Sequence, residues 1–213
     1  MILSRVELPW VIARRPYEQH RALWRLFPGQ PPERRREADQ ARTGFLFRIE
    51  DAPTGGPARV LVQSRLRPMA TSDISILASR EFQPQPRVSQ ALAFVVTANP
   101  VKTVHDQERG AKPGKRSSTC RVPLIDEKAQ IAWLGRKLLE AAVVESVAVV
   151  PHAPIHFRRV RTGERAERAG KLVPVTFEGS LRVTDPVRLV SLLENGIGAG
   201  KAFGCGLFLV RRL

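Results

Sequence analysis

The chain has 213 residues and a formal net charge of +15, from 35 Lys and Arg against 20 Asp and Glu. That length allows one large domain or two small ones with a real core, and a hydrophobic content of 43% argues against intrinsic disorder. A single-sign field of this size attracts polyanions.

Residues 2–8, ILSRVEL, read as a short strand, and Pro16 then suits the first position of a helix, because its missing N–H would be unpaired there anyway. Leu23, Leu26 and Phe27 give that helix a buried face. Residues 28–42, rich in Pro, Arg and Gln, lack periodicity and read as a mobile loop. Strand-like runs at 44–49 and 58–63 flank the turn signal Pro53-Thr54-Gly55-Gly56-Pro57 and predict a hairpin. Residues 72–82 carry a weak pattern, read as a short helix and an edge segment, while ALAFVVTA at 91–98 is the clearest strand.

Residues 99–121 lack an apolar pattern and read as an exposed basic loop. Asp126 caps a predicted helix with Ile131, Leu134, Leu138 and Ala142 on one side, and a strand follows at 143–150. Residues 155–181 read as a long hairpin with arms IHFRRVR and KLVPVTFEGSL and the tip TGERAERAG. Asp185-Pro186 opens a last helix with Leu189, Leu192 and Leu193 on one face, before a Gly-rich turn and the strand GLFLV.

This order predicts an α+β fold of two tandem ferredoxin-like (βαββαβ) domains, with a basic hairpin and a Gly-rich loop in the second. The Pro-rich QPQPR suggests a division into residues 1–88 and 89–213. Both halves are basic, so the polyanion site is expected to span them. Arg outnumbers Lys 28 to 7; a guanidinium grips phosphate oxygens bidentately, although GC-rich codons produce the same bias. No apolar run approaches the roughly 20 residues of a membrane span. The charged start Met1–Leu8 is unlike a signal peptide, so a cytoplasmic location is expected. Cys120 and Cys205 show no paired spacing, and Pro151 and Pro154 disfavour a helix that would align His152 with His156, so no metal or cofactor is expected.

Three constellations can carry chemistry. Tyr17 and His20 lie three apart on the first long helix, flanked by Arg15 and Arg21. An imidazole, with an unperturbed pKa near about 6.5, can take up or deliver a proton at neutral pH. His20 also falls between Leu23 and Trp24 on the buried face, where it would be a core histidine. The second constellation, GIGAGKAFGCG at 196–206, places five glycines in eleven residues. It is not a Walker A loop, because Asn195 and Ala202 stand where Gly and Ser or Thr are required, and no helix follows as the dinucleotide fingerprint demands. The turn suits close approach to a nucleic-acid backbone at Gly198, Gly200 and Lys201, or else serves the fold alone. The third comprises two basic segments, one with Lys102, Lys112, Lys115 and Arg116, the other with Arg158, Arg159, Arg161 and Lys171. Such runs are often solvated faces, but on this background they favour phosphate binding.

Together with these sites, an ordered set of words resembles a known family. The set is LSRVEL, PYEQHR at 16–21 with LWRLFP after it, ANPVKT at 98–103, CRVPL at 120–124, QIAWL at 130–134, FEG at 177–179 and GIGAGKAFGCGL at the end. The chain resembles, from end to end, the CasE-type endoribonucleases of type I-E CRISPR systems, within the repeat-associated RNA-binding superfamily. The resemblance implies tandem ferredoxin-like domains that bind the stem-loop of a CRISPR repeat and cut precursor RNA once, at the 3′ base of the stem. It implies a metal-independent reaction in which a ribose 2′-hydroxyl attacks, leaving a 2′,3′-cyclic phosphate and a 5′-hydroxyl. It places the family histidine on His20 and its tyrosine partner on Tyr17, the signature loop on 196–206 with Lys201 as a phosphate contact, and the groove-entering hairpin on Arg158 to Lys171. It also implies retention of the mature guide RNA and membership of the multisubunit Cascade complex. The loop 28–42 is longer and richer in Arg than the family leads one to expect. The competing readings are a non-catalytic RNA-binding assembly subunit and, less favoured, a duplex-DNA-binding protein.

Overall fold

The computed structural model describes residues 1–29, 44–105, 119–161 and 164–213, with 105, 119, 158–161 and 164–169 described in their backbone only. The elements are β1 (Ile2–Leu8), α1 (Trp10–Ala13), α2 (Pro16–Trp24), β2 (Phe45–Asp51), β3 (Ala58–Ser64), β4 (Ser75–Glu81), β5 (Ala91–Ala98), β6 (Val101–His105), β7 (Thr119–Pro123), α3 (Glu127–Leu138), β8 (Ala142–Pro151), β9 (Ile155–Arg161), β10 (Glu164–Leu172), β11 (Val175–Val183), α4 (Pro186–Asn195), a 3₁₀ turn (Lys201–Phe203) and β12 (Phe208–Arg212).

Two four-stranded antiparallel sheets organise the chain, in the orders β2-β3-β1-β4 and β12-β5-β11-β8. Numbered within its own half, each has the order 4-1-3-2 of a ferredoxin-like unit. Alternation decides what each face buries. In β5, Leu92, Phe94, Val96 and Ala98 point inward, against Trp133, Leu134 and Leu138 of α3 and Leu189 and Leu193 of α4. In the first half Phe45 and Phe47, two apart on β2, join Val60 and Val62 of β3 under Ala22 and Leu23 of α2. The expected capping is present: Asp126 accepts from the N–H of Ala129 at 2.8 Å, and Asp185 from those of Val187 and Arg188 at 2.9 and 3.0 Å.

Four local expectations need correction or restriction. No helix forms within 72–82; Ser75–Glu81 is β4, and the chain reaches it through a turn in which Thr71 Oγ1 accepts from the N–H of Ile74 at 3.1 Å. Ile74 is anchored by burial rather than by helical periodicity. Residues 99–121 are not simply a loop, because β6 and β7 pair as the arms of a hairpin. Their five-residue length leaves too little alternation to read. The hairpin expected over 155–181 is two separate structures: β9 pairs with β10, and β11 lies in the second sheet between β5 and β8. Val173-Pro174 separates β10 from β11, as suits a residue with no N–H to give a ladder. Of the loop expected at 28–42, residues 30–42 lie outside the described residues. The short helix α1 had no counterpart in the pattern reading.

Candidate active site

Helix α2 carries the candidate pair. Pro16 begins it, but its N-cap Arg15 makes no side-chain capping bond, so local sequence holds this helix less firmly than α3 or α4. Its placement comes from tertiary contacts. Gln19, 4% exposed, donates from Nε2 to the Ala13 carbonyl at 2.6 Å and ties α2 to the end of α1. One residue on, the half-buried His20 ring lies 5.1 Å from that of Phe45 and 6.3 Å from that of Phe47, nearly parallel to Phe47 at 28°. Trp24 closes the cluster edge-on at 6.0 Å. Tyr17, one turn earlier, is 42% exposed, so a phenol at the surface and an imidazole at the rim of an aromatic core share one side of the helix. The buried-face position expected for His20 is thus half realised.

The flanking arginines are exposed, and Arg21 meets Glu18 at 3.3 Å. An exposed pair of this kind contributes about 0–1 kcal/mol, little enough for a phosphate to compete with it.

The Gly-rich turn packs against both α2 and β2. Its glycines answer to the fold. Gly198 has φ +79°, and a Cβ there would stand 2.9 Å from the Trp133 ring. Gly206 has φ +93° and would bring a Cβ to 2.7 Å from the Ile197 carbonyl oxygen, which no side chain tolerates. Gly200 precedes the 3₁₀ turn in left-handed geometry. The half-buried Lys201 donates from Nζ to the Asn195 carbonyl at 2.5 Å, at the C-terminus of α4 where a cation is favoured. Below the turn, burial pushes the Cys205 thiol up to about 12.

The basic segments are placed in part. Lys102 is exposed on β6, while Lys112, Lys115 and Arg116 lie outside the described residues. The backbones of Arg158, Arg159 and Arg161 lie in β9, opposite Ala169, Arg168 and Glu164 of β10, and Lys171 of β10 is exposed. β9 touches α2, so the structure brings the hairpin, the Gly-rich turn and the Tyr17–His20 helix together. Lys102 lies apart from these elements in the ladder pattern, on the separate two-stranded sheet β6–β7.

Pattern reading missed the aromatic residues that assemble this site. Phe157 of β9 lies 4.4 Å from Phe203 of the 3₁₀ turn, and Phe45 and Phe47 carry the imidazole. The available signal was the alternation FLF at 45–47, which sends both rings to the side opposite Leu46. Asn99 was also missed as a side chain with a task of its own: its Oδ1 accepts from the N–H of Val173 at 3.0 Å, at the base of the hairpin.

Two ferredoxin-like sheets, with a Gly-rich turn and a hairpin of basic sequence beside the helix face of Tyr17 and His20, define an α+β protein of the tandem ferredoxin-like class. The chain belongs to the CRISPR associated protein family, whose model matches residues 3–212. It is 38% identical over 207 residues, 97% of either chain, to the CRISPR system Cascade subunit CasE of Escherichia coli K12. The crystal structure of the CRISPR-associated protein Cas6e from the same strain is similar over 100% of both chains, with a TM-score of 0.80 at 35% identity. A structure of the CRISPR endoribonuclease Cse3 bound to a 19 nt RNA is similar over 99% of this chain and 100% of that one, with a TM-score of 0.72 at 30% identity. Among the described residues no helix is long and apolar enough to cross a membrane.

Proposed function

We propose that this chain is the endoribonuclease that recognises the stem-loop of a CRISPR repeat, cuts precursor RNA once at the 3′ base of the stem, and stays on the mature guide RNA as a Cascade subunit in the cytoplasm. The two sheets, residues 1–88 and 89–213, act as its domains. The observation that carries the reading is the convergence of the Tyr17–His20 face, the Gly-rich turn and the Arg-bearing hairpin. The end-to-end similarity to an RNA-bound endoribonuclease supports it.

In the reaction, the ribose 2′-oxygen forms a bond to the adjacent phosphorus while the bond to the 5′-oxygen breaks. One proton leaves the 2′-hydroxyl and one reaches the departing 5′-oxygen, giving a 2′,3′-cyclic phosphate and a 5′-hydroxyl. His20 transfers one of these protons, and the aromatic cluster limits the directions its ring can take. Tyr17, exposed one turn away, orients the ribose or donates to the charge that develops on the phosphoryl oxygens. Arg15, Arg21, Lys102, Lys112, Lys115, Arg116, Arg158, Arg159, Arg161 and Lys171 supply cationic contacts to the RNA, with Gly198, Gly200 and Lys201 presenting the turn to its backbone. No step requires a metal ion.

The test is incubation of the purified protein with repeat RNA in EDTA. The expected result is one discrete product, absent for His20→Ala and for RNA carrying a 2′-deoxyribose at the cleaved nucleotide, with the gel shift retained in both. A gel shift without product from the wild-type protein makes the chain a non-catalytic RNA-binding subunit instead. Affinity falls with salt, with a logarithmic slope of roughly −0.7 to −0.9 per neutralised phosphate.

A further inference from the structure

The β9–β10 hairpin forms a two-stranded sheet of its own and shares no ladder with either large sheet. Such a hairpin is at best marginally stable by itself, so its direction depends on what its side chains rest against. At its base Asn99 holds Val173. Above the base, beside the approach of β9 to α2, a ring meets the body. Phe157 pairs across the hairpin with Gly170, where a Cβ would stand 2.2 Å from the ring, so the phenyl lies in the space the glycine leaves open. The same ring meets Phe203 at 4.4 Å, tilted by 33°.

Phe203 ends a three-residue turn bounded by Gly200 and Gly204, both left-handed, at φ +90° and +78°. The next residue continues the path: the Cβ position of Gly204 lies 3.3 Å from the Phe47 ring, which in turn lies nearly parallel to His20 at 6.3 Å. A packed series therefore runs from the hairpin through Phe157, Phe203, Gly204 and Phe47 to the imidazole.

We infer that Phe157 and Phe203 are positioning residues for RNA cleavage, setting the RNA-gripping hairpin in register with the helix that carries His20. The inference rests on the endoribonuclease reading above. The hairpin determines where the RNA backbone lies and α2 determines where the imidazole lies, and the two belong to different halves of the chain. Displacement of a reacting group by about 1 Å costs on the order of a hundredfold in rate. The ring contact, together with the direct approach of β9 to α2, holds that distance.

The experiment uses the full chain and repeat RNA, with single-turnover cleavage measured at saturating protein and affinity measured on 2′-deoxy RNA that cannot be cut. Phe157→Leu and Phe203→Leu each keep an apolar side chain but lose the ring pair, and each is expected to slow cleavage about tenfold. Affinity stays within about threefold, and Phe203→Tyr restores the rate. The double variant is expected to be no slower than the worse single one, because the two residues act through one contact. Losses that multiply in the double variant, unchanged rates, or a loss confined to affinity overturn the link while leaving the endoribonuclease reading intact. Wild-type protein that binds the RNA and does not cut it overturns that reading, and the link with it.

Discussion

The two halves share one strand order and differ in how their helices are held. In the second half, α3 and α4 each begin with an aspartate that caps backbone N–H groups, and both cover one continuous core around Phe177 and Phe208. In the first half no helix lies between β3 and β4 among the described residues, and α2 begins without a side-chain cap. The helix that bears Tyr17 and His20 is therefore placed by contacts from elsewhere: the Gln19 amide, the rings of β2, and a turn contributed by the second half. The difference teaches a division of labour. One half holds its helices with its own caps and core, and the other holds the helix proposed to react, whose position depends in part on the first.

Substitutions in the two halves should separate accordingly. The largest effect is His20→Ala, which removes the proposed proton-transfer group and is expected to lower the single-turnover rate by about 10²–10⁴ with RNA affinity retained. Its counterpart is Leu189→Ala, a fully buried side chain of α4, expected to cost about 2–5 kcal/mol of stability. The protein that remains folded should cleave at the wild-type rate. Thermal melts beside single-turnover assays decide the matter; a stable Leu189→Ala protein with a crippled rate would erase the division.

Next comes Gln19→Leu. It fills the same space but takes the donor from the Ala13 carbonyl, at a cost of about 1–3 kcal/mol. Because this bond ties α2 to α1, cleavage should slow even well below the melting temperature. Asp185→Ala removes the α4 cap for about 1 kcal/mol. It should shift the denaturant midpoint and leave the rate alone. Equal rate losses in both variants would mean that the two halves respond as one body.

How much of this could be read in advance follows the same division. The second half announced itself locally: Asp126 and Asp185 as caps, Leu189 and Leu193 on one face, and the alternation of ALAFVVTA all speak within a few residues. The Tyr17–His20 face was legible because a helix brings residues three apart to one side. What holds that face was not. Phe47 meets Gly204, and Phe157 meets Phe203, across separations that no local period encodes. Each strand arm of 99–121 is too short to show a pattern, and Ser75–Glu81 alternates weakly because most of it is exposed. The five glycines stand out in the sequence, but sequence could not say that Trp133 and a carbonyl of the turn itself demand two of them.

The smallest expected effect lies on the seam between the halves. His152 follows β8 in the second half, and its Nε2 lies 2.7 Å from Thr176 Oγ1, which in turn lies 2.7 Å from Thr97 Oγ1. Burial, and then the positive charge of Arg48 on β2 of the first half, hold its pKa below the usual imidazole value. The folded protein thus takes up a proton on this ring less readily than the unfolded chain does. As pH falls through about 6.5 the unfolded chain gains the proton first, so His152's contribution to stability is full above that value and declines below it. The residue is exposed to solvent, which screens the effect and keeps it small. Replacing it in His152→Asn should flatten the stability profile between about pH 7 and pH 5 relative to wild type. Urea midpoints across that range measure the slope; two parallel profiles would show that the seam does not sense the charge on this ring.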